Sequence, residues 1–286
     1  MLGRVILLAV ASIALPCGAR SIEPATRPTI PVRPADAPGG REFAGRIAAM
    51  TLADREAAIL AELKRGNVPD FLRTFKPIRT SITSSEGKRI DATYFVSPDY
   101  LSIGSDNDFL RMPMTPRTAQ AAADVFGCAL ITRKMSNDIF ARAELKLDPR
   151  PLTVDRAKVE TFLKHHEMIQ AQMREKSARM GLLVAGVKKD VVLSRRLAER
   201  AGRVAIFGWH FSNGRAIQPL SVVHGETYVD YSHGVRLVSE VMLVGGNTRS
   251  IKEIWGDARL CGLVSDEGVI ESKYYSGGRA ATRALP

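Results

Sequence analysis

Residues Val204 to Val238 read VAIFGWHFSNGRAIQPLSVVHGETYVDYSHGVRLV, and this stretch indicates the fold of the C-terminal half. Short apolar runs rich in Val and Ile are separated by Gly and polar turns, which is typical of consecutive β-strands. Three of the chain's five histidines lie here, with one Trp, two Tyr and one Asp. An ordinary hydrophobic core has no need for so many side chains that exchange protons. We therefore consider this stretch the candidate for a reactive site.

The preceding segments show helical patterns. Thr51 and Asp54 form a capping box before an apolar helical stripe, and similar signals begin three more helices. Residues 78–96 contain two segments rich in Ile, Thr and Tyr around a polar turn, which predicts a β-hairpin. The predicted helices begin at Thr51, Thr115, Thr132 and Thr153. We therefore predict an α+β fold with a helical N-terminal half packed on a mostly antiparallel β-sheet formed by the C-terminal half.

Polar residues interrupt two of these apolar patterns. His166 falls on the apolar stripe of the longest predicted helix, which favours a position in the core. Lys188-Lys189-Asp190 lies inside a predicted strand, where packing on both faces would bury charge. An edge strand or hairpin tip explains these charges, and the wall of a polar cleft is the alternative.

The first residues are typical of a secretory signal peptide. Arg4 precedes an apolar run too short to span a bilayer, and small residues follow it, so cleavage is expected near Ala19. The protein is therefore predicted to be exported, either periplasmic or secreted. The predicted organisation is a signal peptide at 1–19, a Pro-rich linker at 20–41, a single domain at 42–271 and a flexible basic tail at 272–286.

The chain is strongly basic, with 41 Lys and Arg against 30 Asp and Glu and a net charge of +11. The basic residues are spread along the chain and do not form the clustered stripe of a nucleic-acid-binding protein. We expect an envelope polymer or another anionic extracellular substrate as the partner, and no nucleic acid. A solvated basic surface without a specific partner is the alternative. No segment of the mature chain is apolar enough to be predicted to cross a membrane.

Cys128 and Cys261 are the two cysteines that remain after signal-peptide cleavage. An exported protein enters an oxidising compartment, so this pair predicts a disulfide. Buried free thiols and a nucleophilic Cys128 paired with a histidine are the alternatives.

Alternation along Thr227 to Leu237 decides which polar side chains share a face, if this segment is a strand. Strict alternation places Asp230 and Ser232 on one face and His233 on the other. Ser232 and His233 can act together only where the strand bulges or ends near Gly234.

Two mechanisms fit these residue types. In the first, His210 or His224 is a general base that activates Ser232 or a water molecule. Asp230 then fixes the imidazole tautomer. In the second, a divalent metal holds the attacking water, with His224, Asp230 and His233 as its ligands. We favour the first mechanism and predict no cofactor, although a divalent metal stays possible. The predicted catalytic residues are His210, His224, Asp230, Ser232 and His233, and the predicted substrate-binding residues are Trp209, Tyr228, Tyr231 and Arg236.

A short motif resembles the catalytic segment of the L,D-transpeptidases, whose pattern is His-Gly, a spacer and Ser-His-Gly-Cys-x-Arg. Here His224-Gly225 is followed by Ser232-His233-Gly234-Val235-Arg236. The nucleophilic Cys of that family is missing and the spacer is shorter. The resemblance implies a His-bearing β-hairpin that faces an envelope substrate, and it does not imply transpeptidation.

The wider sequence is similar to a group of uncharacterised exported bacterial proteins. The phrases that carry this similarity are GNVPDFLR, GWH, IQPLS, YVDYSHGVRL and LCGLVSDEG. This resemblance covers nearly the whole mature chain and implies no particular activity.

These observations predict an exported hydrolase that acts on an amide, ester or glycosidic bond of a cell-envelope or extracellular polymer through a His/Asp site. The alternative is a non-catalytic exported protein that binds a glycan or peptide and contains a structural histidine cluster. Convergence of the candidate side chains in an open pocket would favour the enzyme. Burial of the same groups with mutual hydrogen bonds would favour a structural role for the histidine cluster.

Overall fold

The computed structural model describes residues 28–270 and Tyr275. The predicted signal peptide, the start of the predicted linker and the predicted tail apart from Tyr275 lie outside the described residues. Within residues 28–270 the α-helices are α1 (Gly40–Ile47), α2 (Leu52–Lys64), α3 (Pro116–Val125), α4 (Arg133–Arg142), α5 (Val159–Glu175) and α6 (Ile251–Gly256). The strands are β1 (Lys76–Thr83), β2 (Arg89–Val96), β3 (Ser102–Gly104), β4 (Phe109–Arg111), β5 (Cys128–Leu130), β6 (Leu145–Lys146), β7 (Val184–Ala185), β8 (Lys189–Val191), β9 (Ile206–His210), β10 (Ala216–Ser221), β11 (His233–Gly234), β12 (Leu237–Ser239), β13 (Val241–Val244) and β14 (Asn247–Ser250).

The structure confirms the predicted α+β fold and three of the predicted helix starts. Thr51 accepts a hydrogen bond from Asp54 N at the start of α2. Thr115 and Thr132 cap α3 and α4 in the same way, and Pro116 occupies the first turn of α3. These side-chain acceptors satisfy amide groups that lack a partner within the helix. Helix α5 begins several residues after the predicted start at Thr153.

The main sheet combines strands from both halves of the chain. Its order is β14-β13-β2-β12-β5, and β1 also pairs with β2 as the predicted hairpin. All of these pairings are antiparallel. The sequence predicted the antiparallel sheet of the C-terminal half and the hairpin, while the pairing of the hairpin and of the short β5 with C-terminal strands depends on long-range partners that local patterns do not specify.

A second sheet of four strands has the order β10-β9-β8-β11. Strand β8 lies between β9, its antiparallel neighbour, and β11, its parallel neighbour. The charges of Lys188-Lys189-Asp190 therefore lie at an interior strand, and the prediction of an edge strand or hairpin tip is wrong. Hydrogen bonds to neighbouring groups, described below, compensate this burial only in part.

One large hydrophobic core joins the sheets to α1–α4 and α6, with Trp255, Tyr94 and Phe126 fully buried. Burial of each such aromatic side chain stabilises the folded state by roughly 1.5–3 kcal/mol. A smaller cluster lies under α5, where Ile169 and Met173 pack against Leu147. Among the described residues, no helix combines the length and the hydropathy that a bilayer-spanning helix needs.

Part of the predicted linker is packed on the domain. Thr29 N donates to Phe126 O at 2.9 Å, and Arg33 Nε donates to Asn67 Oδ1 at 2.9 Å. The composition predicted that the folded domain starts at Glu42, but the packed part of the chain begins before that residue. Prolines restrict this segment to an extended backbone but do not prevent it from docking.

Tyr275 lies within the predicted flexible tail, yet its side chain is in the core. Its hydroxyl accepts from Ala205 N at 2.8 Å and donates to Val192 O at 3.0 Å. The Tyr275 side chain is therefore part of the packed core, which its basic surroundings in the sequence did not indicate.

The structure does not contain the predicted disulfide. Cys128 lies on β5 and Cys261 in a short 3-10 turn after α6, and both are buried free thiols. The two sulfurs contact different backbone carbonyls, those of Phe126 and Ala258. Burial, followed by the nearby charge of Glu240, raises the pKa of Cys128 above its ordinary value, which disfavours the thiolate that a nucleophile requires.

Candidate functional site

The segment from Gly225 to Ser232 is a turn-rich loop between β10 and β11, and the predicted continuous strand is wrong there. His233 N donates to Asp230 O at 3.0 Å, and Ser232 N donates to Asp230 Oδ1 at 2.8 Å. An Asp side chain that bonds to the backbone two residues later forms an Asx turn. This turn, and not alternation, decides where the Asp, Ser and His side chains point.

Asp230 is the centre of a buried hydrogen-bond cluster. Ser232 Oγ donates to Oδ1 at 2.5 Å, while Tyr228 Oη donates to Oδ2 at 2.7 Å and Arg156 Nη2 to the same oxygen at 2.6 Å. Burial raises the pKa of Asp230, but His233 and these hydrogen bonds outweigh it and hold the pKa well below its usual range. Asp230 is therefore a permanently ionised anchor and not a proton acceptor.

His233 and His224 lie on opposite sides of Tyr228. The Tyr228 ring meets the buried His233 ring edge-on, with centroids 5.5 Å apart, and stacks on the exposed His224 ring at 4.0 Å. Neither ring nitrogen of His233 has a hydrogen-bond partner among the described residues. Burial lowers the pKa of His233 to about 4, so that the neutral ring is favoured near pH 7. His224, Tyr228 and Arg156, whose side chain is 37% exposed, connect this cluster to solvent.

His210 lies apart from that cluster. Its Nε2 pairs with Asn137 Oδ1 at 3.0 Å, and its ring stacks on Phe140 with centroids 4.6 Å apart. Gly208 and Trp209 both have left-handed backbone, with φ of 105° and 56°, which redirects the end of β9. Burial lowers the pKa of His210 to about 4. The structure therefore does not combine His210 with the other predicted catalytic residues.

Three of the four predicted substrate-binding residues are buried. Arg236 is 1% exposed and donates to Ser97 O at 2.8 Å and to Val184 O at 2.6 Å. Trp209 and Tyr231 are buried as well. Of the four predicted residues, only Tyr228 reaches the surface, because the others pack between the second sheet and its covering segments.

Two buried charges next to this region carry unusual protonation properties. Lys188 is 1% exposed, and its Nζ donates to Tyr231 O. Burial and the nearby Arg111 lower the pKa of Lys188 to about 7. Asp190 accepts from Ser136 Oγ, and burial raises its pKa to about 6 against the opposing effects of Arg236 and that hydrogen bond. The sequence had singled out both residues, because charged side chains are unusual inside a predicted strand.

The helix α5 brings two further histidines to the same interior. His165 is fully buried against Tyr231, and His166 Nδ1 accepts from Arg111 N at 3.4 Å. Arg111 also forms a buried ion pair with Asp99 at 2.6 Å. His166 is thus a bonded core residue, as the apolar stripe predicted. Burial lowers the pKa of both histidines.

Sequence reasoning missed Arg156, which supplies the charged donor to Asp230. It lies in the loop before α5, where no motif or periodicity singles out one of several basic residues. The possible metal set of His224, Asp230 and His233 does not form a ligand cluster. Within residues 28–270 and at Tyr275, no group of three or more His, Cys, Asp and Glu side chains is arranged to hold a metal ion.

A wide groove lies elsewhere, on the exposed face of the β1–β2 hairpin. It has a volume of about 640 Å³ and is bounded by α4 and by the turn between β13 and β14. We call it the hairpin groove. Its lining residues are Arg79, Thr80, Ser81, Arg89, Asp91, Ala92, Thr93, Lys134, Asp138, Arg142, Leu243, Gly245 and Gly246. No residue of the Val204–Val238 stretch belongs to it.

The hairpin groove has more basic than acidic groups. Asp138 accepts from Lys134 Nζ at 2.7 Å, and Arg142 Nη1 lies 3.5 Å from its other oxygen. Asp91 pairs with Arg89 at 2.8 Å. Both carboxylates are therefore already paired within the groove, whereas the exposed Arg79 forms no ion pair with another described residue.

No protein-family model, curated protein or solved structure matches this chain. The resemblance of the Ser232-His233-Gly234 motif to the L,D-transpeptidases therefore stays a prediction. The structure describes that motif as a buried turn followed by the two-residue strand β11.

Proposed function

We propose that this chain is an exported binding protein that holds an anionic segment of an envelope polymer in the hairpin groove. The observation that supports the proposal is the charge of the groove lining. The groove has four basic side chains and two carboxylates, which leaves a net charge of +2 over a volume of about 640 Å³. Three of the basic side chains already pair with the carboxylates, and Arg79 forms no ion pair with a described residue. An acidic polymer can contact several of these cations at once without displacing a strong internal ion pair.

The shape and chemistry of the groove suit an extended chain. One wall is the polar surface of β1 and β2, which offers the hydroxyls of Ser81 and Thr93. Gly245 and Gly246 form the turn at one end, where an added Cβ would meet open space. Hydroxyls and open turns of this kind accommodate a sugar backbone, while the cations recognise its carboxylates or phosphates.

The buried histidine region supports a binding function more than a catalytic one. Ser232 and His233 are 0% exposed, and Asp230 is 1% exposed. Hydrogen bonds within the cluster occupy both oxygens of Asp230. Burial of Asp230, Ser232 and His233 supports a structural role for this cluster, so the proposed binding surface is the hairpin groove instead.

The test is binding of polygalacturonate, an acidic polysaccharide, with neutral dextran as the comparison. We expect salt-sensitive binding of polygalacturonate alone, because exposed charge contacts are screened by salt. The Arg79→Glu/Arg142→Glu double variant should bind about tenfold more weakly, since each exposed pair contributes up to about 1 kcal/mol. Arg259→Glu changes an exposed arginine outside the groove and should bind as the native chain does. Equal binding by both variants would reject the groove.

A hydrolase is the second candidate, and one arrangement favours it. The exposed His224 stacks on Tyr228, whose hydroxyl donates to Asp230, so that a line of polar groups runs from solvent to a buried carboxylate. A reaction at this surface would use His224 as the proton acceptor. Incubation with peptidoglycan fragments should then release new amines or reducing ends, and His224→Ala should abolish the release. Absence of any product with the native chain would contradict the hydrolase.

A further inference from the structure

A second pocket, of about 330 Å³, lies between the start of α2 and the loop before β11. It is separate from the hairpin groove and does not depend on the function proposed for that groove. Its lining residues are Leu52, Arg55, Ala157, Thr227, Tyr228 and Val229. We call it the Arg55 pocket. Arg55 is its one charged side chain. Thr227 and Tyr228 each contribute a hydroxyl, and the other lining side chains are apolar.

Arg55 lacks a carboxylate partner among the described residues. Its side chain is largely buried, with the residue 8% exposed, and Nη1 donates to Ala157 O at 3.1 Å. Its guanidinium lies over the Phe162 ring, 5.3 Å from the centroid. Nε is buried without a hydrogen-bond partner in residues 28–270. A guanidinium has five N–H donors, and Ala157 O is the one acceptor that the described residues supply to the Arg55 side chain.

The neighbouring carboxylate does not compensate for this. Glu56 follows Arg55 in α2, but its Oε2 accepts from Thr115 N and from Thr115 Oγ1, each at 2.8 Å. Burial lowers the pKa of Arg55, and Glu56 opposes that effect only in part. A buried cation without a partner is costly, and an anionic ligand removes that cost by forming charge-assisted hydrogen bonds.

The aromatic wall of the pocket is held rigidly in place. Tyr228 is fixed by its hydrogen bond to Asp230 at one end and by the stacked His224 ring on one face. Leu52 and Val229 supply apolar surface beside it. A wall that is ordered before binding loses little entropy when a ligand packs on it.

From this arrangement we infer that the Arg55 pocket binds the carboxylate of a small organic acid that carries a short apolar chain. The guanidinium of Arg55 receives the carboxylate, and the apolar chain packs against Leu52, Val229 and the Tyr228 ring. The volume is at the lower end of the range for small-molecule sites, which fits a ligand of this size. Inorganic phosphate shares the charge of the carboxylate but has no apolar part to bury.

The experiment is calorimetric titration of the native chain with hexanoate, with hexanol and inorganic phosphate in parallel. Hexanoate should bind saturably, and both comparison compounds should bind at least tenfold more weakly. Phosphate binding as tight as that of hexanoate would reject the apolar part of the site. Failure of hexanoate to bind saturably would reject the site itself.

Two variants locate the binding. Arg55→Met removes the charge and should weaken hexanoate binding at least tenfold, while Arg259→Met, at an arginine whose side chain is 91% exposed, should leave it unchanged. Ala157→Trp fills the pocket from its exposed rim and keeps the Arg55 side chain, so it tests the site even if Arg55→Met does not fold. Retention of native affinity in both Arg55→Met and Ala157→Trp would overturn the inference. The Arg79→Glu/Arg142→Glu variant should bind hexanoate normally, which separates this site from the hairpin groove.

Discussion

Asp230, in the loop before β11, and Asp190, in β8, are two buried carboxylates whose surroundings shift their pKa values in opposite directions. Asp230 accepts hydrogen bonds from Ser232, Tyr228 and Arg156, and its pKa falls well below the ordinary value. Asp190 has one side-chain donor, Ser136, and its pKa rises to about 6. Burial raises the pKa of both carboxylates, but at Asp230 the nearby His233 and the three hydrogen bonds outweigh it, whereas at Asp190 the nearby Arg236 and one hydrogen bond do not.

The opposite pKa shifts indicate which of the two carboxylates stabilises the fold. Through Asp230, the loop before α5 is attached to the loop before β11, because Arg156 belongs to one and Tyr228 to the other. Asp190 belongs to the interior strand β8, and its carboxylate accepts a side-chain hydrogen bond from Ser136 of α4. We therefore expect Asp230 to stabilise the folded state and the ionised form of Asp190 to destabilise it near pH 7.

The largest expected effect is that of Asp230→Ala. The substitution leaves Ser232 and Tyr228 without their acceptor and Arg156 without its counterion, and loss of one partner in a buried charged cluster costs about 3–5 kcal/mol. Urea unfolding at pH 7, followed by circular dichroism, measures the loss of unfolding free energy. Asp70→Ala is the control, because Asp70 also pairs with an arginine but its side chain is 78% exposed. Similar losses in the two variants would contradict the anchoring role of Asp230.

Asp190→Asn should show a smaller effect that changes with pH. The folded state raises the pKa of Asp190 from 3.8 to about 6. Its contribution is therefore fully present below pH 3.8 and is lost as the pH rises through about 6. The variant removes this dependence, so relative to the native chain it should be about 2 kcal/mol more stable at pH 7 than at pH 4.

The buried His233 also makes the free energy of unfolding depend on pH, and this contribution has to be separated from that of Asp190. Burial lowers the pKa of His233 from 6.5 to about 4, so its contribution is present above pH 6.5 and is lost as the pH falls through about 4. That loss is common to the native chain and to Asp190→Asn and cancels in their difference. Urea unfolding of both at pH 4 and pH 7 measures the difference, with the exposed Asp91→Asn as a control. If the difference in unfolding free energy between the native chain and Asp190→Asn is the same at pH 4 and pH 7, the pKa of Asp190 is not raised and the contrast with Asp230 fails.

Local signals in the sequence predicted those features of the fold that depend on adjacent residues. Thr51 and Thr115 cap helices because an acceptor and the free amides lie within one turn of each other. The hairpin of β1 and β2 follows from one short turn and two β-rich segments. The parallel pairing of β8 with β11 joins residues more than forty positions apart, and no local pattern specifies it.

The candidate site was predictable in composition but not in arrangement. The density of His, Tyr and Asp singled out the segment in which the buried cluster around Asp230 lies. Alternation failed because the Asx turn at Asp230 replaced the expected strand, and because the left-handed backbone at Gly208 and Trp209 redirected His210. Arg156 comes from another loop, so only the tertiary structure shows that it is the counterion of Asp230.

The smallest expected effect is that of His224→Ala at the exposed edge of the Asp230 cluster. The stacked pair of His224 and Tyr228 has centroids 4.0 Å apart, and an exposed aromatic contact contributes about 0.5–1 kcal/mol. Urea unfolding should therefore show a loss of that size, much smaller than that of Asp230→Ala. His224→Phe keeps the stacking ring and should restore most of the stability. A loss in His224→Ala that approached that of Asp230→Ala would show that the anchor extends to the surface, because Tyr228 then depends on its stacking partner to hold its hydrogen bond to Asp230.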